Sequence, residues 1–317
     1  SDLSLFFLSD FSCKRSEIFD TYSSICNLLV IQEKIRNKLV NEVILVGMDR
    51  LFYEAFVSIF PDKKISLKRE QPHEVKFLRT LISDAVYFLE LFIVGICNLF
   101  ALTDRKSDDK SRGRYFFSHY PKLLKVEQKG REDIKYRKFV QKGDNYLASI
   151  LTDGFHQHVG LSKFIQLKRE LPVSGFTLLD NYLNPFDVFS GVYWSVRGLA
   201  FSARTRKKKY VFLSIDLTAY VRKELRVSLS RIARLMVMEK QLRRFFCYHN
   251  VDELIYYLFE YPVGRLLSYV MGTSENKQCR VGFQHGPASW IKMLHFLAPG
   301  ETSRNPPFLE HAPIPDR

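Results

Sequence analysis

Apolar positions along this chain fall into two patterns. Short continuous runs closed by polar, glycine or proline residues predict buried parallel strands. They occur at residues 3–8 (LSLFFL, ending in Ser9-Asp10), 43–46 (VILV, closed by Gly47), 65–67, 115–117, 254–259 (LIYYLF) and 280–283 (RVGF). Longer segments with apolar residues three and four apart predict helices over 16–39, 50–60, 184–206, 221–246 and 262–269, with Pro61 stopping the second of these. Residues 146–151 resume an apolar pattern, and 211–215 fits a strand or a helix equally well. Residues 126–142 are dense in charge and predict an exposed segment, as 103–114 predicts a loop.

Strand and helix in alternation predict an α/β fold, a Rossmann-like parallel sheet with crossover helices. No GxGxxG follows the first strand, which removes the dinucleotide-binding version of that fold. The expected organisation is one Rossmann-like lobe over 1–298 with helical insertions around 73–110 and 184–250. A proline-rich connection at 299–317 would lead toward a second lobe.

Residues 81–102 (LISDAVYFLELFIVGICNLFAL) are long enough to cross a bilayer, yet they carry Asp84, Glu90 and Asn98, each costly at depth. A buried core helix is the expectation, with a membrane-surface helix and a span as the alternatives. At 46% hydrophobic and 14% aromatic, the 317 residues have ample material for a core, which excludes a disordered chain. The formal charge of +14 attracts anions, among them nucleic acid, lipid headgroups and phosphorylated small molecules. Five scattered cysteines without CxxC spacing fit free thiols in a reducing compartment. With no secretory leader pattern in view, the expected location is cytoplasmic, at the inner face of the membrane where the basic run 204–209 meets anionic lipid.

Ligands of open parallel sheets bind beyond the carboxyl ends of the strands. Two predicted strand ends carry useful chemistry: Glu260 after LIYYLF, and Gln284-His285-Gly286 after RVGF. Were those strands neighbours, a carboxylate and an imidazole would line one crevice, suited to general base catalysis or to fixing a sugar hydroxyl. Gly286 allows a sharp turn close to a ligand, and Arg265 can bind phosphate in a bidentate fork. Ser9, Asp10 and His119 follow other predicted strands and are further substrate-binding candidates. His156 and His158 have no third ligand near them in sequence, so no metal site is expected.

The run YLFEYPVGRLL, then VGFQHGPASWIKM, then LAPGE resembles bacterial surface-carbohydrate biosynthesis glycosyltransferases of GT-B type. The His-Gly element is also similar to that of teichoic-acid glycerophosphotransferases. The resemblance covers residues 252–317 and extends to the first half by architecture only. It implies that Glu260 and His285 are catalytic or acceptor-orienting, that Arg265 and Gln284 support the site, and that Glu301 contacts sugar or hinge. It also implies a nucleotide sugar as donor substrate, no cofactor, a glycan or lipid-linked acceptor, and a donor-binding lobe beyond residue 317. Two other readings stand beside it: a basic nucleic-acid-binding protein using the arginines of 221–244, although no specific nucleic-acid motif is legible, and a non-catalytic docking lobe.

Overall fold

The computed structural model describes residues 8, 20–36, 38–70, 77–100, 113–118, 124–127, 130–133, 136, 147–152, 160–167, 176–257, 261–274, 279–283 and 315–316. The chain begins with helix α1 (Asp20–Arg36), strand β1 (Glu42–Val46), helix α2 (Arg50–Ile59) and strand β2 (Lys64–Lys68). Helix α3 (Phe77–Phe100) leads to strand β3 (Gly113–Ser118), the antiparallel pair β4 (Leu124–Glu127) and β5 (Gly130–Asp133), and strand β6 (Leu147–Thr152). Helix α4 (Leu161–Leu167), strand β7 (Phe176–Leu178) and a 3-10 turn at Leu179–Tyr182 follow. Helix α5 (Pro185–Arg204), a hairpin of β8 (Val211–Phe212) and β9 (Ile215–Asp216), and helix α6 (Thr218–Tyr248) come next. Strand β10 (Val251–Tyr256), helix α7 (Pro262–Gly272) and strand β11 (Cys279–Gly282) complete the set.

Among the described residues the main sheet has five strands in the order β11-β10-β3-β6-β7, and each of these pairings is parallel. Numbered along the chain, that order is 5-4-1-2-3, the doubly wound Rossmann arrangement read from its other end. The fold is therefore α/β and Rossmann-like. Its central strands alternate between two buried faces. Tyr115 and Phe117 of β3, with Leu254 and Tyr256 of β10, join α6 and α7 in one core; Phe116 and Tyr257 join α3, α4 and α5 in another. A strand buried on both sides must be apolar throughout, and Tyr115, Phe116 and Phe117 meet that requirement.

The amino-terminal strands differ from expectation. β1 and β2 pair with each other in a separate two-stranded parallel sheet, and among the described residues the first strand of the Rossmann sheet is β3. The reason is one-sided burial: of β1 only Leu45 is buried, whereas a strand inside a doubly wound sheet needs both faces covered. This smaller sheet packs with Leu28, Phe52, Phe56, Ile215 and Tyr220 in a third core. Of residues 3–8 only Leu8 is described, buried in the first core.

Helix α6 connects all three cores. Its 31 residues span about 46 Å at 1.5 Å per residue. Tyr220 enters the third core, Ala233 and Val237 the second, and Leu242 and Phe245 the first. Thr21 of α1 donates to Glu224 at 2.5 Å, tying the first helix to this one. Helix starts follow from their caps. Asp49 accepts from the Phe52 N–H at 2.7 Å to open α2, and Asn184 with Asp187 forms a capping box ahead of Pro185 to open α5. The segment 211–215 proves to be the β8–β9 hairpin, turning at Leu213 and Ser214, both at positive φ (49° and 67°).

Candidate functional site

The strand order reverses between β3 and β10, and a crevice at the carboxyl ends of these strands is where open α/β sheets bind ligands. Phe117 stands opposite Tyr256 in register, and Ser118 and Tyr257 extend the two strands to the crevice. Both are fully buried, with the Ser118 hydroxyl 3.4 Å from the Tyr257 hydroxyl. Tyr136 packs against the carboxyl ends of both strands. Its hydroxyl lies 2.6 Å from the Phe117 carbonyl and 3.1 Å from the Ile255 carbonyl, and it accepts from the Tyr257 N–H at 3.3 Å. One phenolic oxygen thus satisfies backbone groups of both strands at the point where their ladder ends. The rings of Phe116, Tyr257 and Phe283 surround that of Tyr136 at 5.1, 5.2 and 5.3 Å.

Helix α7 starts on the same carboxyl side, since β10 runs into it and β11 returns parallel. Pro262 occupies its first turn, where a missing N–H costs nothing. Arg265 is the one predicted site residue that is described. It is buried at 3% exposure, with its N–H donating to the Tyr261 carbonyl at 2.9 Å. The middle of α7 is fixed through Ser268, whose hydroxyl is 2.6 Å from that of Tyr256; burial pushes the Tyr256 phenol well above its ordinary pKa. Arg280 of β11 donates to the Ser268 carbonyl at 3.1 Å and pairs with Asp316 through a two-oxygen fork. Asp316 returns its own N–H to the Arg280 carbonyl at 2.8 Å, so the chain comes back to the sheet edge there.

Glu260, His285, Gln284, Gly286, His119, Ser9, Asp10 and Glu301 lie outside the described residues, as do His156 and His158. What the structure does bring together is the strands that run toward three of those segments. β10, three residues from whose extension at Tyr257 comes Glu260, is the parallel neighbour of β11, after which comes Gln284-His285-Gly286. On its other side β10 pairs with β3, after which comes His119. The adjacency on which the sequence argument depended is present.

Tyr136 is the residue that sequence reasoning missed. It sits within the charged stretch 126–142, expected to be exposed, yet it is fully buried. Charge density reports on the neighbours of a residue and not on a single ring pointing inward, so composition carried no signal for it. Phe283 closes the predicted strand 280–283, one residue past the end of β11, and the meeting of Ser118 with Tyr257 depends on strand pairing that no local pattern carries.

At the opposite, amino end of the sheet stands a second polar cluster. His249 stacks on Phe245 with ring centroids 4.6 Å apart, and its Nδ1 is 3.0 Å from the Tyr115 hydroxyl. Its Nε2 bonds the Tyr182 hydroxyl. Burial pulls its pKa down to about 4, so the ring is neutral, with one nitrogen to donate and one to accept. Its place away from the crevice and its packing mark it as structural. Among the arginines of α6, Arg234 pairs with Asp84, Arg243 with Glu239 and Arg244 with Asp187, which withdraws these three from a phosphate-binding face. Among the described residues no three His, Cys, Asp or Glu side chains gather as a metal would require.

No protein-family model, curated protein or solved structure matches this chain.

Proposed function

We propose that this chain is the acceptor-side lobe of a GT-B-type glycosyltransferase of surface-polysaccharide assembly, acting at the cytoplasmic side of the membrane. It moves a sugar from a nucleotide sugar to a glycan or lipid-linked acceptor. What supports the reading is the Rossmann strand order, with β11, β10 and β3 adjacent and parallel around the switch point. The segments bearing Gln284-His285-Gly286, Glu260 and His119 each continue from one of those three strands.

In this reading the acceptor hydroxyl oxygen attacks the anomeric carbon of the donor. A new carbon–oxygen bond forms while the bond to the phosphate oxygen breaks, and the nucleotide leaves with that electron pair. The hydroxyl proton passes to Glu260 or His285, whichever serves as base, and the other orients the acceptor. The amino terminus of α7, with Arg265 buried in its first turn, offsets the negative charge growing on phosphate. Such a scheme calls on no metal or cofactor.

The test uses the chain and a form extended past Arg317. Both are screened by thermal shift against UDP-, GDP-, CMP- and CDP-sugars, and the stabilising donor is then used in a transfer assay with Glu260→Gln and His285→Ala. A ligand that binds only the folded state raises its melting temperature. Expected is stabilisation by one nucleotide class, and loss of transfer by about 10²–10⁴-fold in the variant lacking the base, at unchanged melting temperature. Full activity in both variants would leave the docking-lobe reading in its place.

A further inference from the structure

We infer that the outer face of α3 and α5 is a docking surface for an anionic lipid bilayer, with both helices lying in the plane of the interface. This inference stands on the surface alone and does not depend on the glycosyltransferase reading.

Phe186, Phe189, Tyr193 and Val196 recur at spacings of three and four along α5, and all four are exposed, Phe186 at 72%. That is one complete helical stripe of large apolar side chains left uncovered. Ile82 and Leu89, seven apart on α3, are exposed likewise. The two stripes join where Phe92 meets Phe189 edge-on, ring centroids 6.3 Å apart. Isolated apolar residues on a surface need no explanation, but a contiguous face of two helices marks an interaction site.

Charge identifies the occupant. Between Asp187 and Asp216 the sequence contains no acidic residue, while Arg197, Arg204, Arg206, Lys207, Lys208 and Lys209 all fall there. All six are exposed, and Asp187 itself is buried against Arg244. The basic run is held in a fixed turn. Thr205 closes α5 by donating to the Phe201 carbonyl at 3.0 Å, and Arg222 donates to the carbonyls of Arg206 and Lys208. Beyond it Val211, Phe212 and Leu213 are exposed at the hairpin tip, with Leu213 at φ 49°, a conformation a branched side chain rarely adopts. Aromatic and aliphatic side chains on a helix flanked by lysine and arginine fit a headgroup layer with anionic lipid. A second copy of the chain would instead bring two basic rims toward each other.

The same helix α3 is long and apolar enough to cross a membrane over Ile82–Phe100, and only 28% of that stretch is buried. A span would have to free it from the protein. Its inner side is held by Asp84 on Arg234 and by Asn98, which donates to the carbonyls of Asp180 and Leu183, both at 2.8 Å. Gly95 lies so close to Pro185 that an added Cβ would sit 2.6 Å from the proline nitrogen. Helix α3 therefore stays packed on α5 and meets lipid with its outer side only.

Flotation of the chain with phosphatidylcholine vesicles, with and without about a third phosphatidylglycerol, tests this directly. Binding is expected to anionic vesicles, weakening as salt is raised. Replacing Lys207, Lys208 and Lys209 together by Ser should weaken it roughly 100-fold. Phe186→Ser with Phe189→Ser should abolish it while the protein stays folded, because both rings are more than half exposed and Phe189 gives up no more than an edge contact with Phe92. Equal binding to neutral vesicles, no binding to either, or indifference to the phenylalanine pair would overturn the inference. So would a lipid-free dimer that the phenylalanine pair dissociates, since the face would then belong to a second copy.

Discussion

Asp84, an acid in the apolar helix α3, accepts two hydrogen bonds from the guanidinium of Arg234, at 2.6 and 3.1 Å. The same guanidinium lies over the Tyr87 ring, 4.3 Å from its centroid. A carboxylate buried in α3 thus has a fixed partner on α6, and the contact sets which side of α3 faces inward. Removing one member leaves the other charge poorly solvated, whereas removing both restores an apolar contact. Arg234→Met is expected to destabilise the fold by about 2–3 kcal/mol, and adding Asp84→Leu to recover most of that loss. Urea denaturation of the two variants measures it. Equal stability of Arg234→Met and the parent protein would show the pair to be incidental.

Gly191 makes the three-helix contact possible. A Cβ built there would fall 2.5 Å from Cε1 of Phe88 and 2.7 Å from Cγ2 of Val237, neighbours on α3 and α6. Both rings and branches are buried and have little room to yield. Gly191→Ala should therefore cost about 1–3 kcal/mol by overpacking, outweighing the gain in helix propensity of roughly 1 kcal/mol. A lowered melting temperature by calorimetry is the expected outcome; a rise would mean that the helices separate without strain.

Local chemistry made several elements legible before the fold was seen. The helix expected over 184–206 is α5, Pro61 marks the end of α2, RVGF overlaps β11, and the run LIYYLF overlaps β10 only in part, since that strand begins three residues earlier at Val251. What the pattern could not supply was pairing. Nothing local distinguishes VILV of β1 from the runs that enter the main sheet, because the distinction lies in how many faces are covered. The adjacency of β11, β10 and β3 likewise depends on the long crossover through α5 and α6, a non-local choice. Tyr136 shows the limit most clearly: a residue amid lysines and arginines is fully buried because two strands leave backbone groups that its hydroxyl can satisfy.

That hydroxyl gives a direct prediction. Tyr136→Phe keeps the ring among Phe116, Tyr257 and Phe283 and removes only the oxygen between β3 and β10. The carbonyls of Phe117 and Ile255 and the Tyr257 N–H then lose a partner in a dry setting, a cost of about 1–3 kcal/mol. Faster amide hydrogen exchange at Tyr257, together with a lower denaturation midpoint, is the expected pairing. A midpoint unchanged from the parent would show that the strands close over the gap.

His249 predicts a pH dependence of definite sign. Its pKa is pulled from the ordinary 6.5 to about 4 by burial between Tyr115, Tyr182 and Phe245. Arg244 donates to the Tyr182 carbonyl at 2.9 Å, a cation that does nothing to favour a second one. In the unfolded chain the imidazole takes up a proton near its ordinary value, whereas the folded protein resists until about pH 4. The contribution to stability is therefore full above pH 6.5, declines as the pH falls from 6.5 toward about 4, and levels off below. Carboxylates add their own acid sensitivity, so the informative quantity is the difference from His249→Gln, whose amide can still donate to one tyrosine and accept from the other. Melting temperatures of the two proteins should converge as the medium is acidified through that window, with the parent losing more. Parallel curves would mean that the imidazole is already free to protonate in the folded state and that the two tyrosines do not hold it neutral.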